Sequence, residues 1–354
     1  MDERGRIILA SLATIGLFLL VQLGALALVE PFQQEGFQPV DDPTDPTISI
    51  VYVGFILIAT AAMLAVFKYG GEWVIHLTIL LVAGFISWYV FVVLLPVEPT
   101  VGGTPLLPLL GALIVMAGLY FYPEWYVIDG AGVVMGAGAA GLFGIGFGQL
   151  PALVLLVVLA VYDAISVYGT EHMLTLAEGV MEMKVPVLLV IPTSRAFSFR
   201  ELGADAASEE TESDAEQADN AGEANDRQTG DDEPSEDDGS IEEDTQDGQP
   251  ADAEEGPLSR DALFIGLGDA VIPTILVASA GVFLDAPSLV SGLALNVPAL
   301  GAMIGTLVGL VILLRMVFAG RAHAGLPLLN TGAIVGYFLA AFAVGIPFTT
   351  ALGL

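Results

Sequence analysis

Nine long apolar stretches, separated by short polar or glycine- and proline-rich segments, organise this chain. They do not alternate between apolar and polar positions as half-buried strands would. Runs of about 17–25 apolar residues are long enough to cross a bilayer, and only helices or closed barrels satisfy their backbone groups there. We therefore predict an all-α integral membrane protein with nine transmembrane helices. Their approximate bounds are residues 7–29, 48–69, 73–95, 106–121, 126–147, 151–168, 262–284, 297–318 and 328–346.

Composition supports the membrane class and excludes several kinds of site. Hydrophobic residues make up 55% of the 354 residues, and the mean hydropathy is +0.76. A soluble domain of this composition would expose too much apolar surface. The chain has no cysteine, so disulfides and thiolate chemistry are excluded. The first stretch could be a cleaved signal peptide, but its length favours a retained helix.

The basic residues predict the orientation of the helices. If the N-terminus is cytoplasmic and nine spans alternate, all ten Lys and Arg residues lie on one side of the membrane. Cytoplasmic loops are the ones that carry an excess of basic residues. We therefore expect a multi-pass cell-membrane protein with a cytoplasmic N-terminus and an outer C-terminus.

Most of the negative charge lies in one segment, residues 201–256. Counting from the sequence, it holds 23 Asp and Glu against the single Arg227, so it contributes −22 of the net −31. With few apolar residues it cannot bury enough surface to fold. We expect a disordered acidic cytoplasmic loop between helices six and seven. It separates a six-helix part with a short amphipathic segment (residues 1–200) from a three-helix part (residues 257–354) of one membrane domain.

Two aspartates lie well inside apolar stretches, Asp163 in the sixth and Asp269 in the seventh, whereas Asp129 lies near the cytoplasmic end of the fifth. A carboxylate at the centre of a transmembrane helix costs roughly 2.5–3.5 kcal/mol on insertion scales, so it usually marks a functional site. The predicted topology puts Asp163 about 8 Å and Asp269 about 10 Å from the cytoplasmic ends of their helices, at 1.5 Å per residue. Antiparallel neighbours would hold both carboxylates at one level.

Two neighbouring carboxylates suit hydrolysis by an acid and a base. They share a proton, so the ionised member can activate water while the protonated member polarises a carbonyl group. Gly266 and Gly268 beside Asp269 would let a substrate backbone approach closely. The histidines are scattered and form no metal-binding pattern, so we predict neither metal nor cofactor.

Three short motifs now carry a resemblance. Tyr162-Asp163, then Gly266-Leu267-Gly268-Asp269, then Pro327-Leu328-Leu329 resemble the YD, GxGD and PAL motifs of the presenilin and signal peptide peptidase family, in particular those of its archaeal presenilin homologues. The resemblance implies a nine-helix intramembrane aspartyl protease with Asp163 and Asp269 as catalytic pair. Pro327, Leu328 and Leu329 would support the substrate, with Leu328 departing from the family's alanine.

The resemblance also implies the partners. The substrates would be transmembrane helices of proteins or peptides within the lipid bilayer, with no obligate partner subunit and no nucleic acid.

Other functions remain open on the residues alone. A proton- or ion-coupled transporter could use the same buried aspartates. Asp129 could belong to its pathway, although we expect an interfacial position for this residue. A purely structural role would leave the paired aspartates without a purpose. The fifth stretch has eight glycines between Gly130 and Gly148, which favours close helix packing over a flexible, substrate-admitting helix.

Overall fold

The structure is a computed structural model that describes residues 3–38, 40, 42–68, 72–169, 188–192, 262–319 and 324–354. The described residues are mainly helical, and helices overlap all the apolar stretches predicted from the sequence. The helices are α1 (Glu3–Gln34), α2 (Thr47–Lys68), α3 (Glu72–Leu94), α4 (Leu106–Phe121), α5 (Trp125–Gly146), α6 (Gln149–Gly169), α7 (Leu267–Phe283), α8 (Val297–Val317), α9 (Gly325–Ala343) and α10 (Phe348–Leu352).

Within this described part, six helices are long and apolar enough to cross a membrane: α1, α3, α5, α6, α8 and α9. Apolar helices of 10–17 residues lie in α2, α4 and α7. Together with the apolar side chains exposed on α2, α3 and α4, this is the surface of a protein surrounded by lipid.

Two antiparallel hairpins accompany the helices. Strands β1 (Thr100–Val101) and β2 (Thr104–Pro105) join α3 to α4, and their two-residue turn is Gly102-Gly103. Both glycines have positive φ, 61° and 84°, which is the backbone that a tight hairpin turn requires. Strands β3 (Leu188–Pro192) and β4 (Ala262–Gly266) pair with Leu188 opposite Gly266 and Pro192 opposite Ala262.

The seventh predicted stretch, residues 262–284, is wrong in its first turn. Residues 262–266 form β4, and the helix begins only at Leu267. A short apolar run is compatible with a buried strand or a buried helix, and the pairing with β3 decides the matter. Asp269 is therefore the third residue of α7 rather than lying about seven residues in. The amphipathic helix expected before β3 and the acidic segment 201–256 lie outside the described residues.

Helix α5 occupies the centre of the bundle, packed against α1, α3 and α7. Its glycines make this possible, since a Cβ atom at Gly138 would lie 2.5 Å from a methyl group of Val90 on α3, and one at Gly144 would overlap Ala278 on α7. Close packing of small residues, as expected from the sequence, therefore accounts for this glycine-rich helix.

Helices α8 and α9 approach backbone to backbone. Gly301 and Gly305 on α8 lie against Gly336 and Gly332 on α9, so close that a Cβ atom on any of the four would overlap the facing main chain. Small residues permit such close crossings, in which main-chain packing holds the two helices together. At the N-terminus of α8, Asn296 accepts a hydrogen bond from the Ala299 amide and donates one to the Ala280 carbonyl, which ties α7 to α8.

Candidate functional site

Asp163 lies near the end of α6 and is almost fully buried, with 7% of its surface exposed. Its Oδ2 accepts a hydrogen bond of 3.1 Å from the main-chain amide of Leu326 in the first turn of α9. Tyr162, the preceding residue, is 38% exposed, because successive helical residues point about 100° apart. The structure therefore directs Asp163, and not Tyr162, toward α9.

Asp269 lies in the first turn of α7, directly after β4. A Cβ atom at Gly325 would lie 2.9 Å from Oδ2 of Asp269, so only glycine leaves the carboxylate its present position. Asp269 also interacts electrostatically with Asp163, as two nearby carboxylates must. Gly325 and Leu326 are consecutive, so one turn of α9 lies beside both aspartates.

Gly266, Leu267 and Gly268 have different surroundings. Gly266 ends β4, and a Cβ atom there would lie 3.7 Å from Oδ2 of Asp269. Leu267 is buried, and its Cδ1 lies 3.2 Å from the Cβ position of Gly136 on α5. Gly268 is exposed, which leaves room beside the carboxylate for a ligand backbone. Leu267 thus anchors the motif, while the two glycines keep its surface open.

Pro273 lies one turn beyond Asp269 inside α7. Proline has no amide hydrogen, so it cannot donate the helical bond that the main-chain carbonyl of Asp269 would otherwise accept. The residue is buried, and the adjacent Thr274 hydroxyl donates to the Ala270 carbonyl at 2.6 Å. The first turn of α7 is therefore one main-chain bond looser than a regular helix.

The Pro327-Leu328-Leu329 motif lies within the first turns of α9, which begins at Gly325. Leu329 is fully buried, and the Leu328 carbonyl oxygen lies 2.5 Å from the Cβ position of Gly309 on α8. The next residue, Asn330, is fully buried and donates a hydrogen bond of 2.9 Å to the Leu156 carbonyl on α6. The motif is therefore fixed from both sides, by α8 and by α6.

Gly325, Leu326 and Asn330 also contribute to the site, although none of them was expected from the sequence. The contact of Leu326 uses a main-chain amide, which every residue except proline has, so no residue type reveals it. Asn330 left a signal, because an amide side chain inside an apolar helix must find a hydrogen-bond partner. Asp129, expected at the membrane interface or in a transport pathway, is buried and accepts a hydrogen bond from the main-chain amide of Val190.

The aspartates of the site do not belong to a metal centre that the described residues could form. No group of three or more His, Asp or Glu side chains converges within that part of the chain. Of the histidines, His76 lies on α3, and the other two are outside the described residues. Among the described residues, the site brings together two carboxylates and the main-chain amide of Leu326.

Comparison with known proteins gives one family. The family model described as signal-peptide peptidase, presenilin aspartyl protease matches residues 15–346. Two solved structures, both of a presenilin family intramembrane aspartate protease, in C222 and P2 crystals, are similar to this chain at 32% identity. The first has a TM-score of 0.59 and covers 94% of this chain and 99% of its own, and the second has 0.57, 97% and 98%. No curated protein matches the chain.

Proposed function

The chain belongs to the signal-peptide peptidase and presenilin aspartyl protease family, and from this premise we propose that Asp163 and Asp269 are its catalytic pair. The protein is an intramembrane aspartyl protease, a multi-pass membrane protein whose substrates are transmembrane segments within the bilayer. The residues alone left a transporter open as the alternative to a protease, and nothing favours a transporter. The proposal for the pair rests chiefly on one observation: Gly325 and Leu326 bring one turn of α9 against both carboxylates.

The proposed reaction needs only the two carboxylates and a water molecule. The ionised carboxylate takes a proton from water, whose oxygen attacks the scissile carbonyl carbon. The protonated carboxylic acid donates a hydrogen bond to the carbonyl oxygen and stabilises the tetrahedral intermediate. A proton then passes to the leaving nitrogen as the C–N bond breaks. The Leu326 amide holds the Asp163 carboxylate in one orientation throughout.

Substrate positioning is assigned to the three motifs around the pair. Gly266, Leu267 and Gly268 would let an unwound substrate segment pass beside Asp269, while Pro327, Leu328 and Leu329 would support it from α9. Tyr162 would line the approach from the exposed side of α6. A substrate helix must lose its internal hydrogen bonds before its backbone reaches the carboxylates, and the open surface at Gly268 offers that space.

The finer topology is also part of the proposal. With nine spans and a cytoplasmic N-terminus, every Lys and Arg lies on the cytoplasmic side, as does the acidic connection of residues 201–256 between the parts 1–200 and 257–354. The pair then lies near the cytoplasmic face of the cell membrane, and the C-terminus is outside. We propose that the chain acts without partner subunits.

The test uses the purified full chain in detergent and a labelled substrate with a single transmembrane span. Mass spectrometry should find cuts inside the hydrophobic segment of the substrate. Asp163→Ala and Asp269→Ala should each abolish them, while Asp285→Ala, an exposed carboxylate beyond the end of α7, should leave them unchanged. Cleavage that persists in both pair variants would refute the assignment.

A further inference from the structure

A third membrane carboxylate, Asp129, has no part in the proposed reaction. It lies in the second turn of α5 with only 7% of its surface exposed. Its Oδ1 accepts a short hydrogen bond, 2.7 Å, from the main-chain amide of Val190 in β3. A buried carboxylate is costly unless it is hydrogen-bonded, so this bond accounts for the presence of the acid at this place.

The bond is made on the edge of β3 that faces α5. In an antiparallel pair every second residue directs its amide away from the partner strand, and Val190, opposite Phe264, directs its amide to Asp129. The preceding residue, Leu189, lies opposite Ile265 of β4. Asp129 thus holds the outer edge of the β3–β4 hairpin, which has two strands among the described residues.

The hairpin leads into the candidate catalytic helix without a loop. Strand β4 ends at Gly266, opposite Leu188, and α7 begins at Leu267. Asp269 follows two residues later. Because no flexible segment separates the strand from the helix, a shift of the hairpin relative to α5 also shifts the Asp269 carboxylate.

The same face of α5 supports the hairpin and the first turn of α7. Asp129, Gly132 and Gly136 lie at helical spacing on this face. The Cβ position of Gly132 is 3.2 Å from Leu189 of β3 and 3.8 Å from Leu267 of α7. The two glycines of α5 therefore leave space for Leu189 and Leu267 to pack closely. The Asp129 carboxylate fixes the position of β3 along α5.

We propose that Asp129 is a positioning residue that holds the β3–β4 hairpin, and through it Asp269, in the geometry required for cleavage. This inference rests on the proposed role of Asp163 and Asp269 as the catalytic pair. Asp129 acts in this role through the oxygen that accepts the hydrogen bond from Val190. Asparagine keeps such an oxygen and should preserve the function, whereas an apolar residue of similar size should not.

The test compares Asp129→Asn and Asp129→Leu in the full chain, purified in detergent, with a single-span substrate. Asp129→Leu should lower kcat by about tenfold or more, because a displacement of catalytic groups by about 1 Å can cost 100-fold. Asp129→Asn should retain most of the wild-type kcat. Ser49→Ala is the matched control: it removes a buried hydrogen bond between α2 and the Pro151 carbonyl, far from the hairpin, and should leave kcat unchanged.

Hydrogen–deuterium exchange gives the readout that separates positioning from general stability. Peptides covering residues 188–192 should exchange faster in Asp129→Leu than in the wild type and Asp129→Asn, with α8 and α9 unchanged. A wild-type kcat in Asp129→Leu, or equal loss in Asp129→Asn and Asp129→Leu, would overturn the proposal. Cleavage by both Asp163→Ala and Asp269→Ala would instead overturn the catalytic pair on which it rests.

Discussion

The main-chain amide of Leu326 donates a hydrogen bond to Oδ2 of Asp163, joining α9 to α6 across 163 positions of sequence. The contact places the start of one membrane helix on a carboxylate of another. A helix start directs several amides in one direction and favours a negative charge there. Asp163 is thereby held by an interaction that the side chain at position 326 does not provide.

Replacing Leu326 by proline should therefore lower cleavage by about tenfold or more, since it removes the donor that orients a reacting group. Proline is tolerated in the first turn of a helix, so α9 should remain folded. Substrate turnover measures the effect, with melting temperature to show that folding is retained. Leu326→Ala keeps the amide and should stay within a few-fold of the wild type. An alanine variant as inactive as the proline variant would assign the effect to the side chain instead.

The Gly325→Ala variant tests the contact of the same turn with Asp269. The added Cβ atom would lie 2.9 Å from Oδ2 of Asp269, so the carboxylate or the helix start must move. We expect kcat to fall by about 10- to 100-fold, with a smaller change in KM. Gly54→Ala on α2 is the matched control, because its Cβ atom would meet nothing within 4 Å. Unchanged kcat in Gly325→Ala would show that the site accommodates the methyl group.

Gly309→Ala should destabilise the packing of α9 against α8. Its Cβ atom would lie 2.5 Å from the Leu328 carbonyl oxygen, and overpacking of this kind costs about 1–3 kcal/mol of unfolding free energy. Thermal unfolding in detergent should show a lower melting temperature, and cleavage should fall as the Leu326 amide moves away from Asp163. Gly16→Ala on α1, where the Cβ position is open, should change neither. A normal melting temperature in Gly309→Ala would contradict the close crossing.

Leu328→Ala restores the residue of the family motif, and we expect it to change specificity more than rate. The side chain of Leu328 is half-buried at the start of α9, while the Leu326 contact with Asp163 uses only main-chain atoms. Mass spectrometry should show a different distribution of cut sites with total turnover within a few-fold of the wild type. Leu329→Ala, at a fully buried position, should instead lower stability by about 2–5 kcal/mol. The same cut sites in wild type and Leu328→Ala would remove residue 328 from substrate selection.

The sequence predicted the features that depend on composition and cost. Long apolar runs gave the helices, and the cost of a membrane carboxylate singled out Asp163 and Asp269 before any contact was known. The sequence predicts a helical turn where β4 lies, because an apolar run of five residues carries no periodic signal that separates strand from helix. The role of Leu326 was out of reach, since an amide that belongs to every residue leaves no pattern.

For Asp129, the sequence identifies the buried carboxylate but not the group that it contacts. Its partner is a main-chain amide 61 positions away, on a strand that only tertiary pairing forms. A carboxylate in an apolar helix is costly to bury and therefore needs a hydrogen-bond donor, but the sequence does not reveal which group is the donor. Buried acidic residues can thus be identified from the sequence, whereas their hydrogen-bond partners are known only from the fold.

Helix α7 has 17 residues, which at 1.5 Å per residue is about 25 Å, somewhat less than the roughly 30 Å of hydrocarbon in a typical bilayer. A span shorter than the surrounding hydrocarbon can be matched by local thinning of the bilayer, so we expect a thinner membrane where β3 and β4 meet the start of α7. Thinning at this point would bring water nearer to Asp269 than the thickness of the surrounding membrane suggests. A thicker bilayer would increase the mismatch at the end of α7 that carries Asp269, so we expect the rate of peptide hydrolysis to change with membrane thickness.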